Sequence, residues 1–332
     1  MVGPYTGNGT TFSKDGFEPD TDFPRINGTV LVSSADGNGG WYIGGNFGQV
    51  NLEPRSNLVH ILADGSVDPA WQPSADYRVE ALFFDGSTIY IGGYFFNVNG
   101  SPRNKIAAID TAGNLTAWNP TANGNVYALT ADSTNVFAGG NFTNIGGQAR
   151  GYIAALDKVT GNATAWSAST YGQVNAIAVD STAIYAAGGI FVGGNARRLA
   201  ALDKTTGVAI PTWDPNPNST VWSLALDDTQ VFVGGNFTSI GGQGRNRLAA
   251  INKTSGLAST WDPNANAAVR SIILDGSTVF VGGEFTSIAS QTKNYIAAIN
   301  KTSAAPIDWD LQASFYVYTL AQDSSNVFVG GD

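Results

Sequence analysis

The side chains that most often perform acid–base or covalent chemistry are scarce in this chain. Its 332 residues include one histidine, His60, and no cysteine. Thiol nucleophiles, cysteine-ligated zinc and disulfides are therefore excluded, and a single histidine cannot form a multi-histidine zinc site. His60 lies in a predicted strand, "NLVHI", and a catalytic triad would need a nucleophile and an orienting group beside it. The sequence indicates no catalytic residue, and we do not expect an enzyme.

Carboxylates are the other candidates for chemistry, since a pair of them can perform glycoside hydrolysis. Many of the aspartates, however, recur at one position in tight-turn sequences such as "DGST", which is typical of turns. These are Asp36, Asp85, Asp132, Asp180, Asp227, Asp275 and Asp323. The segment "FEPDTDF" offers calcium oxygen ligands in Glu18, Asp20 and Asp22, although their spacing is not that of an EF-hand loop. A solvated loop is the alternative interpretation, and no other cofactor or metal is expected.

The overall charge narrows the classes of partner. The net charge is −9, and only 13% of the residues are charged. Nucleic-acid binding requires clustered lysine and arginine, and polybasic attachment to a membrane surface requires the same. No run of about 18 apolar residues is present, so insertion into a membrane is not expected. The acidic, lysine-poor surface indicates an extracellular or cell-surface location.

The chain consists of a repeat of about 48 residues, and this repeat must position any residues that bind a ligand. Glycine pairs begin at Gly44, Gly92, Gly139, Gly234, Gly282 and Gly330. A tryptophan recurs with the same period at Trp71, Trp118, Trp166, Trp213, Trp261 and Trp309, and Phe23 takes the seventh aromatic place. Each unit contains four strand-sized apolar runs separated by turn sequences, and none shows helical periodicity. This period and strand number are typical of a β-propeller blade.

The two ends of the chain indicate how the repeats close. The last unit stops at "VFVGGD", and "TFSKDGFEPDTDFPRING" near the other end resembles the missing half. We therefore predict an all-β, seven-bladed β-propeller with four antiparallel strands per blade. It forms a single domain over residues 1–332, and its seventh blade combines about 315–332 with 1–28. A solenoid is less favoured, because a linear array needs capping repeats.

The candidate binding site lies where the blades differ. Each first strand opens with valine, and the next residue varies from blade to blade. These seven positions, here termed the ring residues, are Leu31, Glu80, Tyr127, Asn175, Trp222, Arg270 and Tyr318. First strands line the central channel of a propeller, so we expect these side chains to surround its mouth and bind a ligand through aromatic and polar groups. In the alternative interpretation they fill inter-blade gaps of different sizes.

The repeat also resembles a known family. The words "VFVGGNFTSIGGQ", "RLAAINKTSG" and "DGSVDPAW" are similar to the delta-sixty repeat, a β-propeller module of secreted bacterial proteins, and the GG and Trp pattern is similar to kelch repeats. The resemblance covers essentially the whole chain. It implies a secreted or surface location and a binding or scaffold role, and it carries no catalytic motif. "IYAAGGIFVGGN" departs from the pattern, since it is one residue short and lacks "NFT".

These observations predict a non-enzymatic propeller that recognises a glycan or a surface protein through its loop-rich face. It could also be part of a larger polypeptide or assembly. A purely structural module of a surface, filament or virion assembly is the alternative. A carbohydrate-active enzyme is the third and least favoured hypothesis.

Overall fold

The computed structural model describes residues 8–14, 23–168, 170–192, 195–309 and 313–332. In this part of the chain the regular structure is entirely β-strand, arranged as seven antiparallel sheets of three or four strands with four small two-stranded sheets beside them. Each larger sheet is termed a blade, and the blades are numbered 1 to 7 by their first, or inner, strand. Each blade is an antiparallel meander because its strands alternate in apolar character and because turns of two to five residues join its first two strands.

Equivalent strands recur in every blade. The inner strands of blades 1 to 7 are Ile26–Ala35, Val79–Phe84, Val126–Ala131, Val174–Val179, Val221–Leu226, Val269–Asp275 and Val317–Gln322. The second strands are Trp41–Val50, Thr88–Gly93, Asn135–Gly140, Ala183–Val192, Gln230–Gly235, Thr278–Gly283 and Asn326–Gly331. The third strands are Leu58–Ile61, Ile106–Asp110, Ile153–Asp157, Asn195–Asp203, Leu248–Asn252, Ile296–Asn300 and, from the start of the chain, Gly9–Ser13.

The seven blades form a closed ring. The inner strand of each blade packs beside the inner strands of both neighbours, and the inner strand of blade 7 packs beside those of blades 6 and 1. Gly9–Ser13 pairs antiparallel with Asn326–Gly331, with Gly9 opposite Gly330. Phe23 is buried against Phe328, with ring centroids 5.6 Å apart. The prediction of an all-β propeller closed by strands from both ends of the chain is confirmed, whereas the extent of the domain, 1–332, stays a prediction.

The fourth segment of each blade is shorter than expected from the sequence. In blades 1 to 6 it pairs with the third strand through one antiparallel bridge, as between Ile251 and Ala258 in blade 5. Its tryptophan then packs between two blades. Trp213 of blade 4 meets Tyr185 edge-on at 5.2 Å, and its Nε1 donates a hydrogen bond to Asn252 O of blade 5 at 3.0 Å. A buried indole with a satisfied N–H thus joins neighbouring blades.

The glycine pair is required by two different close approaches, shown by blade 5. A Cβ atom at Gly234 would lie 2.8 Å from Val269 Cγ1 of blade 6, so the first glycine allows the next blade to pack closely. At Gly235 a Cβ would lie 2.3 Å from Thr220 O, so the second glycine allows its own inner strand to approach. The first contact also occurs at the closure, where a Cβ at Gly330 would lie 2.5 Å from Val30 Cγ1.

Small hairpins follow the glycine pairs and build the loop-rich face. They are Asn97–Val98 with Ser101–Pro102, Asn144–Ile145 with Gln148–Ala149, Ser239–Ile240 with Gln243–Gly244, and Ser287–Ile288 with Gln291–Thr292, and in blade 1 Glu53–Pro54 pairs back on the second strand. In blade 5 the two turn residues, Gly241 and Gly242, have φ values of 61° and 77°. Two consecutive left-handed residues define a type I′ turn, which favours glycine.

The recurring turn aspartates also form ion pairs between blades, which the sequence did not reveal. In blade 4, Asp180 Oδ1 accepts hydrogen bonds from two backbone N–H groups of its turn, and Oδ2 lies 2.9 Å from Lys253 Nζ of blade 5. The same bridge joins blades 2 and 3, 3 and 4, and 5 and 6. In the closing blade, Lys14 takes this position, 2.9 Å from Asp275 of blade 6. These ion pairs link consecutive blades on the face that carries the turns between the inner and second strands.

Candidate functional site

The ring residues occupy a β-bulge in every inner strand. In blade 5 the register passes from Val221 opposite Gly235 to Ser223 opposite Gly234, which leaves Trp222 as the unpaired residue. The inner strands of the other six blades shift register at the equivalent residue. A bulge bends its strand and redirects the extra side chain. The second glycine of each pair lets the inner strand approach closely, and this contact lies directly beside the ring residue.

All seven ring residues line one cavity of about 430 Å³ at the centre of the loop-rich face. Its lining consists of Leu31, Arg78, Glu80, Tyr94, Tyr127, Gln173, Asn175, Trp222, Arg270 and Tyr318. The structure therefore brings together every residue that the sequence proposed for the ring. A volume of this size lies within the range of small-molecule sites.

Blade 2 contributes an arginine held between a carboxylate and an aromatic ring. Arg78 Nε lies 2.7 Å from Glu80 Oε1, and the Arg78 guanidinium carbon lies 3.9 Å from the centre of the Tyr94 ring. Burial raises the pKa of the Glu80 carboxyl, and the attraction of Arg78 opposes this only in part. Glu80 is therefore a carboxylate whose charge is partly desolvated and balanced by one neighbour.

Blades 3 and 4 contribute neutral polar groups. The Tyr127 hydroxyl lies 3.2 Å from the Tyr94 hydroxyl and accepts a hydrogen bond from Asn141 Nδ2 at 3.1 Å. Burial and the hydrogen bond with Tyr94 raise the pKa of Tyr127 to about 12, so its hydroxyl stays protonated. In blade 4, Gln173 Nε2 donates to Asn175 Oδ1 at 2.6 Å. This side of the cavity presents hydroxyl and amide groups.

Blades 5 and 6 repeat the arrangement of blade 2. Arg270 Nε donates to Glu284 Oε1 at 2.8 Å, and its guanidinium carbon lies 4.5 Å from the centre of the Trp222 ring. In blade 7, the Tyr318 hydroxyl donates to Asp332 Oδ2 at 2.8 Å. Burial and the adjacent Asp332 carboxylate raise the pKa of Tyr318 to about 12. Each charged or phenolic group on this side is thus oriented by a neighbour.

The sequence missed the residues that hold the ring in place. Arg78 and Gln173 immediately precede the valine that opens their inner strands. Tyr94 and Glu284 immediately follow the glycine pair. Both positions also vary between blades, and this variation was the available signal. The bulge places the three variable positions beside one another.

His60 does not line the cavity and lies on the third strand of blade 1. Its ring is buried and stacks on Tyr42 at 4.3 Å. Nδ1 lies 2.9 Å from Asp68 Oδ2, and Nε2 lies 3.1 Å from Asp36 Oδ2. Both nitrogens therefore face carboxylates, and neither faces a nucleophile. Asp36 is the turn aspartate of blade 1, so His60 contacts, from within the same blade, the kind of carboxylate that elsewhere faces a lysine of the next blade.

Other candidate sites receive less support. The calcium ligands predicted from the sequence, Glu18, Asp20 and Asp22, lie outside the described residues. Within the residues that are described, no group of three or more histidine, cysteine or acidic side chains is arranged to hold a metal ion. The described part of the chain also contains no helix with the length and apolar character needed to span a membrane.

The chain is similar to known proteins in sequence family and in fold. The family described as outer membrane protein assembly factor BamB matches residues 27–309. The WD40 beta propeller domain of Doa1 has a TM-score of 0.61 and 11% identity, covering 98% of this chain and 97% of that chain. The computationally designed Ika8 protein has a TM-score of 0.55 and 15% identity, covering 94% of this chain and 96% of that chain. No curated protein matches the sequence. At these identities the two structures show the fold, and a propeller fold supports a binding or scaffold role in general.

Proposed function

The chain belongs to the family of the outer membrane protein assembly factor BamB, and we propose that it is a non-enzymatic binding propeller that recognises a glycan or protein through its loop-rich face. The ligand contacts the ring residues in the central cavity. The delta-sixty resemblance and the family's description favour a place outside the cytoplasm, at the cell surface or facing an outer membrane. The acidic, cysteine-free composition is compatible with such a location.

The convergence of all seven ring residues on one cavity carries this proposal. The bulge geometry requires glycine on the second strand and valine on the inner strand, but it leaves the ring side chain free to differ. Gap filling would require chiefly apolar side chains of graded size. The cavity instead contains two arginines held by carboxylates, tyrosine hydroxyls and amides, which are groups that give direction to a ligand.

A glycan array tests the proposal, with a peptide array of surface-protein segments as the second panel. The Trp222→Ala/Arg270→Ala variant removes the side chains of two neighbouring blades that face the cavity. We expect it to lose at least tenfold in affinity for any probe that the wild type binds. Leu257→Ala, at an exposed position beyond the third strand of blade 5, is the control and should bind as the wild type does.

The scaffold alternative gives a different result in the same experiment. A structural module would bind through its outer surface, so the double variant would keep the wild-type affinity while remaining folded by circular dichroism. That outcome would reject the cavity as a binding site. The enzyme hypothesis is tested separately, since hydrolysis of any bound glycan during overnight incubation would support it.

A further inference from the structure

The positive charges of the cavity are already neutralised by the protein. Of the described side chains that line it, the cationic ones are Arg78 and Arg270. Each has a carboxylate at its edge, from Glu80 at 2.7 Å and from Glu284 at 2.8 Å. An anionic ligand would have to displace one of these carboxylates, which would then be left desolvated without its partner. The cavity is therefore poorly suited to sulfate, phosphate or carboxylate groups.

Two of the aromatic rings that could attract a cation, Tyr94 and Trp222, already have a protein cation over one face. Arg78 lies over Tyr94 at 3.9 Å, and Arg270 lies over Trp222 at 4.5 Å. Cation–π sites for a ligand ammonium need an aromatic face that is free of other cations. These rings instead hold the protein's own guanidinium groups. A cationic ligand would therefore gain no cation–π contact from the faces that the two arginines cover.

The groups with remaining hydrogen-bonding capacity are uncharged. The Tyr127 and Tyr318 hydroxyls and the amides of Gln173 and Asn175 all line the cavity. The Tyr318 hydroxyl donates to Asp332 and keeps its acceptor positions, and the single Gln173–Asn175 hydrogen bond leaves both amides with further donor and acceptor positions. The Tyr127 hydroxyl is already engaged by Tyr94, Asn125 and Asn141. A ligand rich in hydroxyl groups satisfies such a mixture of donors and acceptors without carrying a charge into the cavity.

Exposed aromatic side chains lie on the same face, in the connections that lead to the inner strands. Tyr77 is 58% exposed, Tyr171 is 64% exposed and Phe315 is 54% exposed. They precede the inner strands of blades 2, 4 and 7. Exposed aromatic faces offer apolar area for stacking, as the C–H faces of sugar rings require. A ligand longer than the cavity could continue over these residues.

We propose that the cavity binds the terminal residue of a neutral oligosaccharide, with following residues stacked on the exposed aromatic side chains. This inference rests on the proposed function and names its ligand class. The two paired arginines give selectivity against charged sugars, and the Tyr318 hydroxyl and the amide groups bind the sugar hydroxyls. The ligand enters from the loop-rich face, where the ring residues lie.

The test compares trisaccharides of equal length and different charge by isothermal titration calorimetry. The neutral probes are maltotriose, mannotriose, galactotriose and N-acetylchitotriose. The anionic probe is trigalacturonic acid, and the cationic probe is triglucosamine. We expect at least one neutral probe to bind tenfold or more tightly than both charged probes, and Tyr318→Phe to weaken it several-fold. Tighter binding of a charged probe, or no neutral binding, overturns the inference.

A gain of function provides the second measurement. Glu284→Gln keeps the shape of the side chain but leaves Arg270 without its carboxylate. We expect the affinity for trigalacturonic acid to rise at least tenfold, because a guanidinium becomes available to the anion. Glu53→Gln, on the exposed hairpin strand of blade 1, is the matched control and should change nothing. An unchanged anion affinity in folded Glu284→Gln contradicts the charge argument.

The two levels of the proposal fail in different ways. A charged probe that binds the wild type and is lost in Trp222→Ala/Arg270→Ala shows that the cavity is a binding site but that the ligand class is wrong. Probes that bind equally well to the wild type and to that double variant show that the cavity is not the site, and both proposals then fail.

Discussion

Alanine at the second glycine of a pair should destabilise the protein more than alanine at the first, although both glycines are buried in the same strand. Blade 5 gives a matched pair of variants, Gly234→Ala and Gly235→Ala. At Gly234 the new methyl group would meet side-chain atoms, namely Ser223 Oγ at 2.5 Å and Val269 Cγ1 at 2.8 Å. Side chains can rotate or shift, and blade 4 already carries alanine, Ala187, at the equivalent position.

The methyl group at Gly235 would meet backbone atoms that have little freedom to move. It would lie 2.3 Å from Thr220 O and 3.0 Å from Val221 Cα. Relief requires Gly235 and the inner strand to move apart by roughly 1 Å at the bulge, which weakens two hydrogen bonds. These join Gly235 N to Arg247 O at 2.9 Å and Asn236 N to Thr220 O at 2.8 Å.

The expected costs follow from these contacts. Overpacking at Gly234 should lower the free energy of unfolding by about 1–3 kcal/mol. Gly235→Ala adds about 1 kcal/mol for each weakened hydrogen bond to a similar strain, which gives a cost on the order of 3–5 kcal/mol. Because Trp222 is the bulged residue between these contacts, Gly235→Ala should also displace its indole from the cavity.

Urea unfolding followed by far-UV circular dichroism measures both costs. Acrylamide quenching, with each variant compared with its Trp222→Phe derivative, isolates the fluorescence of the cavity indole. We expect Gly235→Ala to change this component and Gly234→Ala to leave it nearly unchanged. Equal costs for the two variants, or a smaller cost for Gly235→Ala, would refute the assignment of different steric roles to the two glycines.

Three further predictions concern charge and turn geometry. Glu80→Gln should be more stable than the wild type at pH 7 in thermal melts. Burial holds the folded-state pKa of Glu80 above its unfolded-state pKa, so ionisation of this carboxyl costs stability. The advantage of the variant should disappear as the pH falls below both pKa values. Lys253→Ala should cost about 1 kcal/mol in urea at pH 7, with Thr111→Ala at the equivalent position of blade 2 as the neutral control. Burial acts in the opposite direction, but hydrogen bonds from Lys253 and the backbone lower the pKa of Asp180 to about 2. The stability cost of Lys253→Ala should therefore be present above the unfolded-state pKa of the aspartate and shrink as the pH falls towards 2. Ser290→Gly should raise the free energy of unfolding by about 0.5–1 kcal/mol, since residue 290 has a φ of 62° in a type I′ turn and glycine occupies that place in other blades; a loss of stability would contradict the turn assignment.

The turn aspartates show why one part of the architecture was predictable and another was not. Their recurrence beside serine, threonine and glycine indicated turns, because an aspartate oxygen caps the N–H groups two and three residues later in the same chain segment. Their bridges to lysines were not predictable in the same way. Lys253 lies 73 residues from Asp180, and only the angle between adjacent blades brings the two charges together.

The candidate site was likewise predictable from the sequence only in part. Trp222 and its counterparts were found because they vary in a strand whose other positions hardly change. Their partners Arg78, Tyr94 and Glu284 were missed, because variation at one position does not show which other variable positions contact it in the fold. The unexpected shortness of the fourth segment also depended on packing, because its tryptophan leaves the sheet to enter the junction between blades.

By itself, the sequence determined the all-β class, the repeat and the sharing of one blade between the two ends, because period, strand length and turn chemistry act within one repeat and are visible as local patterns. The tertiary structure alone decided that each varying residue is a bulge, that seven bulges face one cavity, and that its arginines are already paired. Those properties depend on the closed ring, which brings together side chains that are separated by hundreds of residues along the chain.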